Sequence, residues 1–232
     1  MKRIVFSILS LVLLMTATFN ASAQGQSRNV SGFTSIASGG PFNVHIKING
    51  TESVKVDADA DIINEIETVV EDGTLKIKFK DHENWHQNIH KAEIYVTAKS
   101  LTGLVNSGSG SMHVDGTISG ENCKVVLSGS GDITTSVRSN SLHTVISGSG
   151  SISLNGSADE ASIVVTGSGE VNGKDLKTQT LDATITGSGN INVIADKSVS
   201  ARITGSGNVV YSGNASVVNS RHTGSGRVSK AD

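Results

Sequence analysis

Val164-Val165-Thr166-Gly167-Ser168-Gly169-Glu170-Val171 decides the fold, because the same pattern returns along the whole second half of the chain. Gly-Ser-Gly begins at Gly108, Gly129, Gly148, Gly167, Gly187, Gly205 and Gly224, so neighbouring copies lie 18 to 21 residues apart. Self-similarity at a fixed period of this length marks a solenoid or an array. Two residues before the first glycine stand Asn106, Leu127, Ile146, Val165, Ile185, Ile203 and His222; two after the second stand Met112, Ile133, Ile152, Val171, Ile191, Val209 and Val228. Both columns are apolar except at Asn106 and His222. Side chains of an extended chain alternate between faces, so these positions and the two glycines share one face. There the glycines either point inward, where no side chain fits, or relieve a bend.

A rung of this length, at about 3.3 Å per residue, has a contour of about 60 Å, which suits a small closed coil of short strands stacked about 4.8 Å apart. No rung can bury its own apolar face, so its neighbours must. Residues 105–229 are therefore expected to form a right-handed parallel β-helix. Asn106 and His222 then mark the ends of the stack, where a capping domain or polar edge residues must stop further strand addition, and Arg221, Arg227 and Lys230 blunt the C-terminal edge. The residue before each motif is Ser107, Ser128, Ser147, Thr166, Thr186, Thr204 or Thr223, and each motif carries its own serine, from Ser109 to Ser225. These hydroxyls are expected to face outward in two parallel ladders.

Residues 30–104 read as a separate β-rich domain capping the helix. Phe42 to Ile48 alternates strictly, Asn49-Gly50 is a hairpin signal, and Val54-Lys55-Val56 resumes the alternation. Ile62, Ile63 and Ile66 fall at helical spacing behind acidic residues, which predicts a short helix over Asp59 to Glu67. Asp72-Gly73 turns the chain into Leu75-Lys76-Ile77-Lys78-Phe79, and Ile94-Tyr95-Val96 makes a further strand.

Lys2 and Arg3, the apolar run Ile4 to Met15 and the small-x-small end Ala21-Ser22-Ala23 have the form of a secretory leader, so residues 1–23 are set aside as a signal peptide. The apolar run is shorter than the roughly 20 residues of a comfortable span, and no later stretch is long enough. An exported chain is expected, in the periplasm, on the outer surface or secreted, with no integral membrane segment after leader removal. Its single cysteine, Cys123, rules out an intrachain disulfide and reads as a small packed side chain. Nineteen basic against 21 acidic side chains leave a net charge of −2, with no field to gather nucleic acid or anionic lipid. Aromatic residues are only 3% of the chain, so its core must be built from Val, Ile, Leu and Ala.

The opening Gly32-Phe33-Thr34-Ser35-Ile36, then Leu75-Lys76-Ile77, Trp85, Ile94-Tyr95-Val96-Thr97 and the repeated Ser-Gly-Ser-Gly together resemble the putative auto-transporter adhesin, head GIN domain family, from about Val30 to Val228. The resemblance implies an exported bacterial protein with two β-rich halves, parallel β-helix character in the repeats, and a role in adhesion. It supplies no catalytic residues. Family members usually place a proline within the segment that reads Thr97-Ala98-Lys99-Ser100-Leu101 here.

The sharpest metal candidate is His82, His86 and His90 at i, i+4 and i+8, which on a helix would line one face. Their segment has no apolar stripe and lies between two predicted strands, so a loop with solvated histidines is the expectation, and no cofactor is expected. Calcium would need an acid in register in nearly every rung. The residue after each motif is Ser111, Asp132, Ser151, Glu170, Asn190, Asn208 or Arg227, only two of them acidic. A β-helix carbohydrate enzyme would gather acids in one groove, whereas Asp132, Glu170, Asp182 and Asp196 read as scattered, and no catalytic residue is assigned. The remaining candidate surface is the hydroxyl ladder of Ser128, Ser147, Thr166, Thr186 and Thr204, facing a polysaccharide or a surface protein. A purely structural or sensory envelope module is the alternative.

Overall fold

The computed structural model describes residues 25–80 and 89–231, and every regular element among them is a strand. Eight short strands come first: β1 (Gln26–Arg28), β2 (Ser35–Gly39), β3 (Asn43–Ile48), β4 (Ser53–Ala58), β5 (Ile66–Glu71), β6 (Thr74–Phe79), β7 (Ala92–Ala98) and β8 (Gly103–Asn106). Five long ones follow, each wrapping most of a rung: β9 (Ser111–Gly129), β10 (Asp132–Gly148), β11 (Ser151–Gly167), β12 (Glu170–Gly187) and β13 (Asn190–Gly205). The chain ends in β14 (Asn208–Ser212), β15 (Ser216–Thr223) and β16 (Arg227–Lys230).

From β9 to β16 all pairing is parallel, and the motifs stack in register, Gly129 on Gly148, Gly148 on Gly167, Gly167 on Gly187 and Gly187 on Gly205. The result is a parallel β-solenoid of about seven turns. Its interior is made of aligned apolar columns, one of them Met112, Ile133, Ile152, Val171, Ile191 and Val209, all essentially without solvent contact. Alternation places these side chains inward in every rung, and burying a Leu, Ile or Val contributes roughly 1.5–3 kcal/mol, so the stack needs neither disulfide nor aromatic core.

The ladder runs through residues 104 and 105 without a break. Strand β2 pairs in parallel with β6 and β8, and β3 with β7 and β9. Ser38-Gly39-Gly40 lies beneath Asn106-Ser107-Gly108: Ser107 N–H donates to Ser38 O at 2.7 Å and Gly110 N–H to Gly40 O at 3.4 Å. This is a further turn that lacks Gly-Ser-Gly. Asn106, fully buried, is therefore the start of the motif repeats but not of the stack.

Two local expectations are corrected. Strands β3 and β4 flank Asn49-Gly50 but do not pair with each other, because β7 lies between them, parallel to β3 and antiparallel to β4. The stretch Asp59 to Glu67 is no helix. Ile63 N–H bonds Asp59 O and Ile66 N–H bonds Ile62 O, and at Ile66 the chain enters β5. Two such turns bury Ile62 and Ile66 without continuing, since β5 must pair with β6. That pair is a two-residue hairpin on Asp72 and Gly73, both with positive φ as such a turn requires. At the far end, among the described residues, β15 pairs only with β13 and β16 only with β14, and Arg221, Arg227 and Lys230 stand exposed on these last strands.

Candidate functional site

Each Gly-Ser-Gly is a corner. The chain bends at the central serine, and the first glycine of the rungs from Gly129 onward takes a positive φ, +112° at Gly167. A Cβ on Gly167 would stand 2.4 Å from Gly148 O, in a backbone conformation L-residues avoid. The second glycine, which has no positive φ, lies buried against the rung below: a Cβ on Gly169 would meet Ile146 Cγ2 at 2.5 Å and Gly150 O at 2.8 Å, and one on Gly150 would meet Gly131 O at 2.2 Å. The first thus relieves the bend and the second points inward, the two roles split between one motif's glycines.

The residues flanking these glycines point out. Ser128, Ser147, Thr166, Thr186 and Thr204 are all exposed and stack one per rung, each on the next in register. Thr204 continues onto Thr223. Ser130, Ser149, Ser168, Ser188 and Ser206 form a second exposed column at the apex of the corner. The main-chain N–H of Ser149, Ser168, Ser188 and Ser206 donates to a glycine carbonyl of the rung below, so these hydroxyls are not needed to satisfy their own corners. Parallel strand spacing puts successive hydroxyls about 4.8 Å apart along the ridge.

The position after each motif forms another outward column. It runs from Glu93 through Asn43 and Ser111 to Asp132, Ser151, Glu170, Asn190, Asn208 and Arg227. Asp132 and Glu170, read from sequence as scattered, share this column two rungs apart. Glu160 and Asp182 line a shallow groove of about 340 Å³ with Ser141, Ser162, Thr180 and Ser198, and among the described residues no basic side chain joins them there. His90 is exposed, and its main-chain N–H donates to Asp59 Oδ2 at 2.8 Å. His82, His86 and Trp85 lie outside the described residues, as do residues 1–23. Among the described residues no three His, Cys, Asp or Glu side chains are placed to hold a metal, and no helix is long and apolar enough to cross a membrane. The Cys123 thiol is buried, and that burial pushes its pKa up.

One cluster escaped the sequence reading. On the outer face of β4, β7, β3 and β9, Lys55, Tyr95, His45 and His113 stand side by side across four strands. The Tyr95 and His45 rings stack with centroids 5.0 Å apart and planes at 18°. His45 Nε2 lies 2.6 Å from Glu93 Oε2, and Asn43 Nδ2 donates to Glu93 Oε1 at 2.9 Å. Burial opposes ionisation of Glu93, but these two partners hold its carboxyl below the usual range. Strict alternation in Val44-His45-Ile46 and Ile94-Tyr95-Val96 signals that His45 and Tyr95 face out. Their meeting depends on β7 leaving β4 to lie beside β3, which no local pattern encodes.

A family model described as putative auto-transporter adhesin, head GIN domain matches residues 32–215. Among solved structures, a putative adhesin from Bacteroides fragilis NCTC 9343 is similar at 24% identity and a TM-score of 0.80, over 89% of this chain and 96% of that one. A putative lipid binding protein from Parabacteroides distasonis ATCC 8503, at 24% identity and a TM-score of 0.71, covers 92% and 98%. A putative adhesin from Parabacteroides merdae ATCC 43184, at 20% and 0.72, likewise covers 92% and 98%. At these identities the likeness is one of fold. No curated protein matches the chain.

Proposed function

Because the chain belongs to the putative auto-transporter adhesin, head GIN domain family, we propose that it is an exported adhesion module of the cell envelope, which works by surface display and not by catalysis. The leader-like residues 1–23 support export, to the periplasm, the outer surface or beyond. The observation that carries a binding role is the ridge of exposed hydroxyls at Ser128, Ser147, Thr166, Thr186 and Thr204, in register along the solenoid axis. A periodic row of donors and acceptors suits a periodic ligand, since one contact repeated down a rigid scaffold adds up without the cost of ordering a loop. The ligand of this reading is a repeating polysaccharide, or a surface protein that offers an equally regular strand. Acids and bases gathered in one groove, as a β-helix carbohydrate enzyme requires, are not what the Glu160 and Asp182 groove offers.

The experiment is a glycan array probed with the chain from Gln24 onward, beside a variant carrying Thr166→Ala, Thr186→Ala and Thr204→Ala. Binding to a repeating polysaccharide that the triple variant loses is the expected result. Binding that the variant retains removes the ridge as the contact, and no binding to any glycan turns the reading toward a structural envelope module.

A further inference from the structure

We propose that the outer face of the first rungs carries a second binding site, centred on Tyr95, for a carboxylated sugar residue of a polysaccharide. The inference rests on the adhesion reading but uses a different surface from the hydroxyl ridge. Tyr95 is the one exposed aromatic side chain among the described residues, 44% exposed even with its ring stacked on His45. Every other aromatic of the described body is buried or half-buried, so an exposed ring here is a departure from the pattern of the chain. It lines an open groove of about 440 Å³ together with His45, His113, Lys55, Lys47 and Asp115. That volume suits one or two sugar rings better than an extended chain of them.

Charge names the occupant. The row across the groove is Lys55, Tyr95, His45, His113, and the row beside it contains Lys47 and Asp115. Lys47 Nζ lies 3.4 Å from Asp115 Oδ2, and His45 is held by Glu93. Lys55 and His113 are left without an ion-pair partner among the described residues, one at each end of the row. A side chain that offers an apolar ring with a polar tip, next to an unpaired ammonium, matches a pyranose whose C–H face packs on the ring and whose carboxylate meets the cation. A neutral sugar would leave Lys55 unanswered. A wholly apolar ligand would bury Lys47 and Asp115 beside it at a cost.

The test measures binding of the chain from Gln24 onward to two carboxylated probes, hexagalacturonate and α2,3-sialyllactose, which separate in-chain from terminal acidic sugars. Methyl-esterified hexagalacturonate, with the same rings but no charge, is the comparison. The expected result is binding of at least one acidic probe, no binding of the ester, and a loss of about tenfold or more in Tyr95→Ala and in Lys55→Gln, as for a central anchor of an interface. Tyr95→Phe, which keeps the ring, is expected to bind like the parent chain. Because Lys55 is an exposed surface side chain, Lys55→Gln leaves the fold intact, and a thermal melt checks Tyr95→Ala. The ridge variant at Thr166, Thr186 and Thr204 is expected to bind the acidic probe undiminished, so this site and the ridge fail separately. Equal binding of the ester, unchanged affinity in Lys55→Gln, or no binding of either acidic probe by the parent chain overturns the proposal.

Discussion

At the scale of single residues the motif's two glycines are required for different reasons, and two substitutions separate them. In Gly167→Ala the new methyl meets backbone, Gly148 O, in a conformation unfavourable to any side chain. A loss of about 3 kcal/mol is expected, which no truncation of a neighbouring side chain recovers. In Gly169→Ala the closest obstacle is a side-chain methyl, Ile146 Cγ2 at 2.5 Å, with Gly150 O behind it at 2.8 Å and no positive φ to strain the backbone. Combining it with Ile146→Ala should recover about 1 kcal/mol relative to the sum of the two single changes, a coupling readable from urea melts of the four chains of a double-mutant cycle. Thr144 is the opposite case. It is fully buried in register between Val125 and Ile163, and its hydroxyl has no partner among the described residues. Thr144→Val keeps the shape and removes the stranded polar group, so it should stabilise the chain by about 1 kcal/mol in the same melts. A lower melting point in Thr144→Val would show that the hydroxyl has a role inside the core.

Among the elements, the clamp between the end of β4 and the start of β7 is set by one carboxylate. Asp59 Oδ2 accepts from Lys91 N–H at 3.0 Å and from His90 N–H at 2.8 Å, while Asp59 N–H donates to Lys91 O. The Lys91 and His90 amides, in that order, hold its pKa below the ordinary value. A group whose pKa is lowered by folding adds stability above its unfolded pKa and loses it as pH falls through the folded one. Asp59→Asn should therefore melt below the parent chain at pH 7, with the gap closing as pH drops below about 4. A gap that persists unchanged at low pH would show that the charge is not what clamps the strands. This clamp also explains what was legible here and what was not. The Asp72-Gly73 turn is local chemistry and reads directly, whereas Asn49-Gly50 carries the same signal and makes no hairpin, because β4 finds its partner in β7 forty residues on. The helical spacing of Ile62, Ile63 and Ile66 was a true sign of burial but a false sign of helix, since two turns suffice to bury Ile62 and Ile66 before β5 begins.

For the whole molecule, the repeat announced the solenoid because each rung states its own register: the apolar columns on either side of Gly-Ser-Gly are the buried columns of the structure, from Leu127 to Ile203 and from Met112 to Val209. The earlier turn was illegible because it lacks the motif. Ser38-Gly39-Gly40 stands 68 residues ahead of its neighbour Gly108, with β4 to β7 inserted in the same chain, and Phe42 fills the interior where other rungs have a second glycine. The Tyr95 face was hidden by the same insertion. Continuity of the ladder then carries a last prediction. One apolar core runs from Phe33 to Ala215 with no gap near residue 104. A chain beginning at residue 105 would lose β2, β3 and the first half of β8, which cover Asn106 and Met112 and supply parallel partners of β9, among them Leu104 beside Val125. Its first rung would expose Met112, Val114, Val125 and Leu127 together with an unpaired strand edge, the combination that drives association of chains. The intact chain should unfold in a single calorimetric transition, and the truncated one should self-associate or melt at least about 10 °C lower, since repeat stability depends on nearest-neighbour interfaces. Two resolved transitions in the intact chain, or a monomeric fragment with an undiminished melting point, would make the first rungs a separable domain and not the opening turns of the solenoid.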